Sequence, residues 1–301
     1  MAFEITMLGT SSMVPTKDRN VQSIYLEYRG EGILFDCGEG TQRQMNIAGI
    51  SRTKVKKILI SHWHGDHVSG LIGLIQTLGN SKDVSELFIY GPLGTKDFMN
   101  NLLNSCIFDL AVSLNIVELD ISENKVFFEN EHYFLEAAPL NHGVPCLGYS
   151  FVEKDRRKIN LDKARRFGLD EGPDLGLIQK NLPVKKNGKM IMPDDVSSIV
   201  KGKKITLISD TSFSSNAQAL ADGSDLLICE ATYDKNNEEK ANEYSHLTSE
   251  QSALIASNAG VKKLVLTHFS QRYKDLDVLL DEAKNIFPNT VLAFDFMKIK
   301  L

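Results

Sequence analysis

Lys57-Ile-Leu-Ile60, followed at once by Ser61-His62-Trp63-His64-Gly65-Asp66-His67, is the stretch on which the reading of this chain turns. The first four residues read as a strand, because a short apolar run is what a strand buried on both faces requires. The next seven gather three imidazoles and a carboxylate, a donor set suited to borderline-soft divalent ions, zinc foremost. One turn cannot wrap four such side chains around a single tetrahedral ion without strain. Two ions are therefore expected, with His62 and His64 on one and Asp66 and His67 on the other. Gly65 lets the loop reverse sharply between the pairs. Placement at the end of a buried strand speaks against a histidine-rich surface loop that binds nothing.

Such a loop needs further ligands, and the chain supplies them at matching places. Asp210 closes Ile205-Thr-Leu-Ile-Ser-Asp210, His268 closes Leu264-Val-Leu-Thr-His268, and His142 follows the apolar run Tyr133–Ala137. Each stands at the carboxyl end of a strand-like segment, where α/β sheets collect their sites. A single strand-end His or Asp is usually a cap, but three of them beside a HxHxDH loop read as its partners.

The rest of the chain fits a layered α/β domain. Strands are expected at Phe3–Leu8, Ser23–Tyr28, Ile33–Phe35, Lys57–Ile60, Leu87–Tyr90, Tyr133–Ala137, Ile205–Ile208, Leu226–Cys229 and Lys263–Leu266. Helices are expected at Thr95–Ser105, Ser249–Asn258 and Asp275–Ile286, the second opening with the capping box Thr248-x-x-Gln251. A length of 301 residues suits one large domain or two small ones. No apolar run reaches membrane-spanning length, so no membrane association is expected. Met1 to Leu8 enters a strand pattern directly, without the features of a signal peptide, and a cytoplasmic protein is expected. Cys37, Cys106, Cys146 and Cys229 are scattered without a CxxC pair and read as reduced, mostly buried residues.

Charge is unevenly spread. Residues 154–204 hold fourteen Lys and Arg against seven Asp and Glu, whereas the whole chain has a net charge of −5. A basic island on an acidic body is the pattern of a local polyanion-binding element. Residues 154–199 also break the strand–helix rhythm, with Gly172-Pro173 and Pro183 as punctuation and a short helical stretch around Leu161–Phe167. This segment reads as an insertion that takes no full share of the core.

Taken together, these residues resemble the metallo-β-lactamase superfamily and, within it, the ribonuclease Z family, across essentially the whole chain. Leu8-Gly9-Thr10, Phe35-Asp36-Cys37-Gly38-Glu39-Gly40, the HxHxDH loop, His142, Asp210 and His268 follow the superfamily's order. Pro15-Thr16-Lys17-Asp18-Arg19-Asn20 is similar to the PxKxRN loop of the narrower family, Glu230-Ala231-Thr232 to the tail of its HEAT motif, and His246-x-Thr248 to its HST motif. Ser270-x-Arg272-Tyr273 after His268 is family-like as well. Cys229 before the glutamate and Leu247 within HST depart from the pattern, and neither removes a side chain assigned to chemistry.

The resemblance implies an αβ/βα four-layer sandwich spanning residues 1–301, with residues 154–199 as an inserted, flexible transfer-RNA-binding arm. It implies two zinc ions per subunit. One would be held by His62, His64, His142 and a bridging Asp210, the other by Asp66, His67, Asp210 and His268. Asp66 would double as base, while His246, oriented by Glu230, would act on the leaving oxygen. Asp36 would orient ligands. Lys17, Arg19, Asn20, Arg272, Gly172 and Pro173 would contact RNA. The implied activity is an endoribonuclease that removes the 3′ trailer from precursor transfer RNA, leaving a 3′-hydroxyl on the transfer RNA and a 5′-phosphate on the trailer. A homodimer is implied too. A phosphodiesterase for small esters would need neither the basic segment nor the Lys17/Arg19 loop. A catalytically silent RNA binder would be expected to lose ligands that are intact here.

Overall fold

Two seven-stranded sheets dominate the computed structural model, which describes residues 3–81 and 86–301. Met1 and Ala2, the start of the N-terminal reading, lie outside the described residues. The first sheet runs Lys298–Lys300, Glu4–Gly9, Ser23–Tyr28, Glu31–Phe35, Val55–Leu59, Glu86–Gly91, Ser113–Glu118. Its last four strands are parallel. The second runs Thr290–Leu292, Leu264–Thr267, Leu226–Glu230, Lys204–Ile208, Pro145–Glu153, Tyr133–Asn141, Lys125–Glu129, and its first four strands are parallel.

Strands covered on both faces explain the apolar runs. Ile58 and Ile60 pack with Leu34, Leu87 and Ile89 under the helices Thr41–Ile47, Leu71–Gly79 and Thr95–Leu103, which contribute Met45, Leu74 and Met99. Leu59, between them, faces the interior beside Phe35, Tyr149 and Leu207. On the far side, Ile208, Leu227, Cys229 and Leu266 pack under the helices Ser215–Ala221, Ser249–Asn258 and Asp277–Ile286. Rings join the two sheets: Phe3 and Tyr28 meet Phe151 at 5.3 Å, and Tyr90 meets Phe127 at 5.0 Å. The layers are therefore helix, sheet, sheet, helix, the expected αβ/βα sandwich.

The expected strands form with ends displaced by one or two residues in most cases, although Tyr133–Ala137 extends to Asn141. Thr248 and Gln251 make the expected capping box. Pro145–Glu153 is an added strand, veiled in sequence by Pro145 and Gly148. Leu71–Gly79 is an added helix, since a short apolar run does not by itself distinguish helix from strand. No helix among the described residues is long and apolar enough to cross a membrane.

Glu129–Phe134 and Val152–Lys203 form a second compact unit. Arg156–Ile159 pairs with Ser197–Val200, and Val184–Lys186 with Lys189–Ile191. The expected helical stretch is Leu161–Arg166, capped by the Asn160 side chain. The segment has a core of its own, built from Ala164, Leu169, Leu175, Ile178, Val184, Ile191 and Val196. Single apolar residues between charges hide such a core from periodicity. Arg157 pairs with Asp194 at 2.6 Å and Lys186 with Asp174 at 3.0 Å.

Candidate metal centre and cleft

The parallel strands of both sheets deliver the site. Asp36 follows Phe35, His62 follows Val55–Leu59 by three residues, Asp210 follows Ile208 by two, and His268 follows Thr267 directly. Asp36 and His268 both adopt left-handed backbone, with φ of 56° and 59°. Such strain costs about 1–3 kcal/mol per residue and persists only where surrounding contacts impose it.

Two groups of donors meet within this cluster. His62, His64, His142 and Asp210 form one, and Asp66, His67 and His268 the other, with the ligand atoms of each group within 4.8 Å of one another. His64 Nδ1 lies 3.0 Å from His62 Nε2 and 3.2 Å from His142 Nε2. Asp210 stands between the groups. Its Oδ2 lies 3.7 Å from His62 Nε2 and 3.5 Å from His67 Nε2, and its Oδ1 3.3 Å from His268 Nε2. Asp210, His246 and His268 make a third, overlapping group.

Four of the imidazoles are aimed by a bond to the ring's other nitrogen. His67 Nδ1 donates to Asp36 Oδ2 at 2.8 Å. Ser61 Oγ donates to the same oxygen at 2.9 Å, which leaves it free to accept from His62 Nδ1 at 3.0 Å. Thr232 Oγ1 donates to Glu230 Oε2 at 2.5 Å and so accepts from His268 Nδ1 at 3.0 Å. His142 Nδ1 donates to the Ser245 carbonyl at 2.9 Å. The Nε2 atoms of these four rings are thereby turned toward the carboxylates.

Protonation follows from the crowding. Burial penalises charge on Asp210, but His268, His67 and His246 hold its carboxyl well below the usual range. Burial penalises His67 as well, and Asp210, Asp36 and Asp66 nevertheless hold that ring well above the usual imidazole range. His62 is driven down by burial and by His67, and His64 by burial and His142. Donors of this kind fit divalent metal ions. The buried Nε2 atoms of His67 and His268 have no hydrogen-bond partner. A buried unsatisfied donor or acceptor costs about 1–3 kcal/mol, which a cation shared with the two carboxylates removes.

Glu230 is fully buried and accepts from Thr211 N at 2.8 Å as well as from Thr232. His246 Nδ1 lies 3.1 Å from its Oε1. Burial lowers the tendency of His246 to hold a proton, yet Glu230 and Asp210 more than compensate and raise its pKa to about 9. With Nδ1 on Glu230, Nε2–H is the proton this ring can offer elsewhere.

A cleft of about 1010 Å³ opens over the cluster, lined among others by Met13, Asp66, Tyr244, His246 and Arg272. Lys17 is almost fully exposed beside Asp18. Arg19 turns inward, its Nη2 donating to the Tyr273 carbonyl at 2.9 Å. Asn20 is bound to Glu39 O through Nδ2 and to Asp295 through its backbone N–H. Arg272 donates to Asn237 Oδ1 at 2.7 Å and lies over the Tyr233 ring. Gly172 and Pro173 belong to the second unit, at the start of the helix Pro173–Gln179. Trp63 stacks on Phe98 and donates to Thr95 Oγ1, a packing role against the wall.

Sequence reading did not single out the orienting roles of Ser61 and Thr232, although both sit inside motifs it identified. It also missed Met13, whose N–H donates to Asp66 Oδ2 at 2.8 Å, and Tyr244. No local pattern marks a residue 53 positions away as a partner of Asp66.

With this geometry in view, comparisons with known proteins are specific. A family model described as anti-Pycsar protein Apyc1 matches residues 3–108, about a third of the chain. The chain is 42% identical over 299 residues to a protein named ribonuclease Z from Methanothermobacter thermautotrophicus, covering 99% of this chain and 96% of that one. It superimposes on the crystal structure of the short form of human tRNase Z with a TM-score of 0.71 at 29% identity, covering 98% of each chain. The metallo-β-lactamase fold protein YhfI from Bacillus subtilis also matches with a TM-score of 0.71, at 16% identity and covering 100% of this chain and 99% of that one, a likeness of fold alone.

Proposed function

The chain belongs to the ribonuclease Z family, and from that premise we propose how its residues carry out the endonucleolytic 3′ processing of transfer RNA. The observation that carries the proposal is the meeting of two imidazole–carboxylate groups on Asp210, at the floor of a cleft that also holds His246. His62, His64, His142 and Asp210 would hold one zinc ion, and Asp66, His67, His268 and Asp210 a second. Zinc ions so placed supply Lewis acidity toward the scissile phosphate and depress the pKa of nearby water.

The chain's own groups supply the rest. Asp66, whose Oδ2 accepts from the Met13 N–H, would take the proton of the attacking water. His246, its Nδ1 held on Glu230, would offer a proton from Nε2 to the departing 3′-oxygen of the transfer RNA, while Glu230 keeps the ring in register and balances its charge. Lys17 presents its ammonium to phosphate at the mouth of the loop. Arg19 and Asn20 fix that loop's shape through the Tyr273 carbonyl, Glu39 and Asp295. The basic second unit, with Gly172-Pro173, grips the RNA through phosphate contacts, which supply affinity without reading sequence. The proposal includes a cytoplasmic homodimer in which one subunit's arm serves the other's metals.

The test is incubation of end-labelled precursor transfer RNA with the purified protein and added zinc. A cut leaving a 3′-hydroxyl on the transfer RNA and a 5′-phosphate on the trailer is expected, and an uncut precursor in metal-replete buffer overturns the reading.

A further inference from the structure

We infer that Asp295 is a positioning residue for the RNA, its carboxylate closing the base of the loop that presents Lys17. The inference deepens the proposed contact of Lys17 with substrate phosphate and rests on that reading.

A surface loop holds a defined shape only where side chains tie it to the body of the fold. The chain leaves strand Glu4–Gly9 at Thr10, and Asn20 precedes strand Ser23–Tyr28 by three residues. Both ends of the loop between them meet on one carboxylate. Thr10 Oγ1 donates to Asp295 Oδ1 at 2.8 Å, and the Asn20 N–H donates to Oδ2 at 2.7 Å. Gln44 Nε2, from the helix Thr41–Ile47, donates to the same Oδ2 at 2.9 Å and to the Leu8 carbonyl at 2.8 Å. Three segments thus converge on a half-buried side chain that lies 275 positions beyond Asn20 in the chain.

The backbone around Asp295 is anchored to both sheets. Phe296 N donates to the Met7 carbonyl at 2.7 Å in the first, and Ala293 N to the Leu266 carbonyl at 2.8 Å in the second. Phe296 takes left-handed backbone, with φ of 68°, a conformation that persists only where such contacts impose it. The carboxylate is therefore a fixed point against which the loop is set.

The two branches of the loop have different supports. The early branch hangs on the metal cluster, with Ser12 N on the Phe269 carbonyl at 3.0 Å and Met13 N on Asp66 Oδ2 at 2.8 Å. Lys17 lies on the later branch, inside a turn closed on itself. There Thr16 N donates to the Arg19 carbonyl at 2.7 Å, and Arg19 N to Thr16 Oγ1 at 2.9 Å. The direction of that turn is set by Arg19 on the Tyr273 carbonyl and by Asn20 on Asp295. Loss of Asp295 should accordingly misplace Lys17 and leave the metal cluster as it is.

Acceptor oxygens, more than charge, are what this position supplies, since all three partners donate. An amide at 295 could still accept from Asn20 and Gln44 through its oxygen and donate to the Thr10 hydroxyl.

The test compares wild type, Asp295→Ala, Asp295→Asn and Thr10→Val on precursor transfer RNA and on bis(p-nitrophenyl) phosphate. A hydrogen bond to a charged group corresponds to roughly tenfold or more, so Asp295→Ala is expected to raise KM for the precursor about tenfold with kcat little changed. The slope of log kcat/KM against log salt should become shallower by about 1, as when one phosphate contact is lost. Zinc content and cleavage of the small diester should match wild type, and Asp295→Asn should stay close to wild type on both substrates. Thr10→Val keeps the shape of the side chain, should raise KM in the same direction, and decides the matter if Asp295→Ala does not fold. A wild-type KM and salt slope in the variants overturns the inference, and so does an equal loss on both substrates, which marks a merely structural role. A wild type that leaves the precursor uncut overturns instead the nuclease reading on which the inference stands.

Discussion

The carboxylate of Asp36 touches two ligand systems at once: it accepts from His67 Nδ1 at 2.8 Å and from the Ser61 hydroxyl that positions His62. His62 and His67 fall in different donor groups, so one buried side chain sets the orientation of a ring in each. Asp36→Asn keeps the volume but replaces an acceptor oxygen with a donor. Zinc affinity, measured by chelator competition, should weaken about 10- to 100-fold. Affinity equal to wild type would show that the rings hold their places without it.

Asp210 is the carboxylate between the two groups, whereas His142 belongs to one. Metal analysis of the purified variants should find Asp210→Ala nearly empty and His142→Ala with about half the wild-type content. Equal contents in the two variants would contradict the bridging position.

Metal removal should also lower stability, because His67 and His268 then keep buried Nε2 atoms without partners. A ligand at about a hundredfold above its Kd adds about 2.7 kcal/mol to the folded state. Chelation is therefore expected to lower Tm by several degrees, and zinc to restore it. A Tm indifferent to both would remove the argument from orphaned nitrogens.

In the metal-depleted protein His246 holds its proton to about pH 9, because Glu230 and Asp210 overcome the effect of burial. Its folded pKa lies above the unfolded value of about 6.5. The stabilisation is thus complete below about pH 6.5 and is lost as pH rises through about 9. Glu230→Gln should lower the pKa seen by imidazole NMR and depress kcat while leaving metal content intact. An unshifted titration would separate Glu230 from His246.

Removal of residues 154–199 should abolish processing of precursor transfer RNA and spare hydrolysis of a small phosphodiester such as bis(p-nitrophenyl) phosphate. The segment has its own core, and the cleft is lined by residues outside it. Unchanged precursor cleavage would make the basic unit irrelevant to RNA.

His62, His64, Asp66 and His67 were legible in the sequence because ligands spaced within one loop announce themselves, and the strand before them is a plain apolar run. Asp210, His142 and His268 were legible for a related reason, as polar residues closing strand-like segments. What required the tertiary structure was everything set by contact between distant segments. Met13 reaches Asp66 only because its loop folds over the cluster, and Arg19 turns toward the Tyr273 carbonyl instead of standing free beside Lys17. The separate core of the second unit was equally hidden, since its apolar residues are interleaved with charge. Local spacing encodes which atoms can bind a metal; which way each ring points is decided by bonds such as Asp36 to His67 and Thr232 to His268, made across the fold between side chains that no periodicity relates.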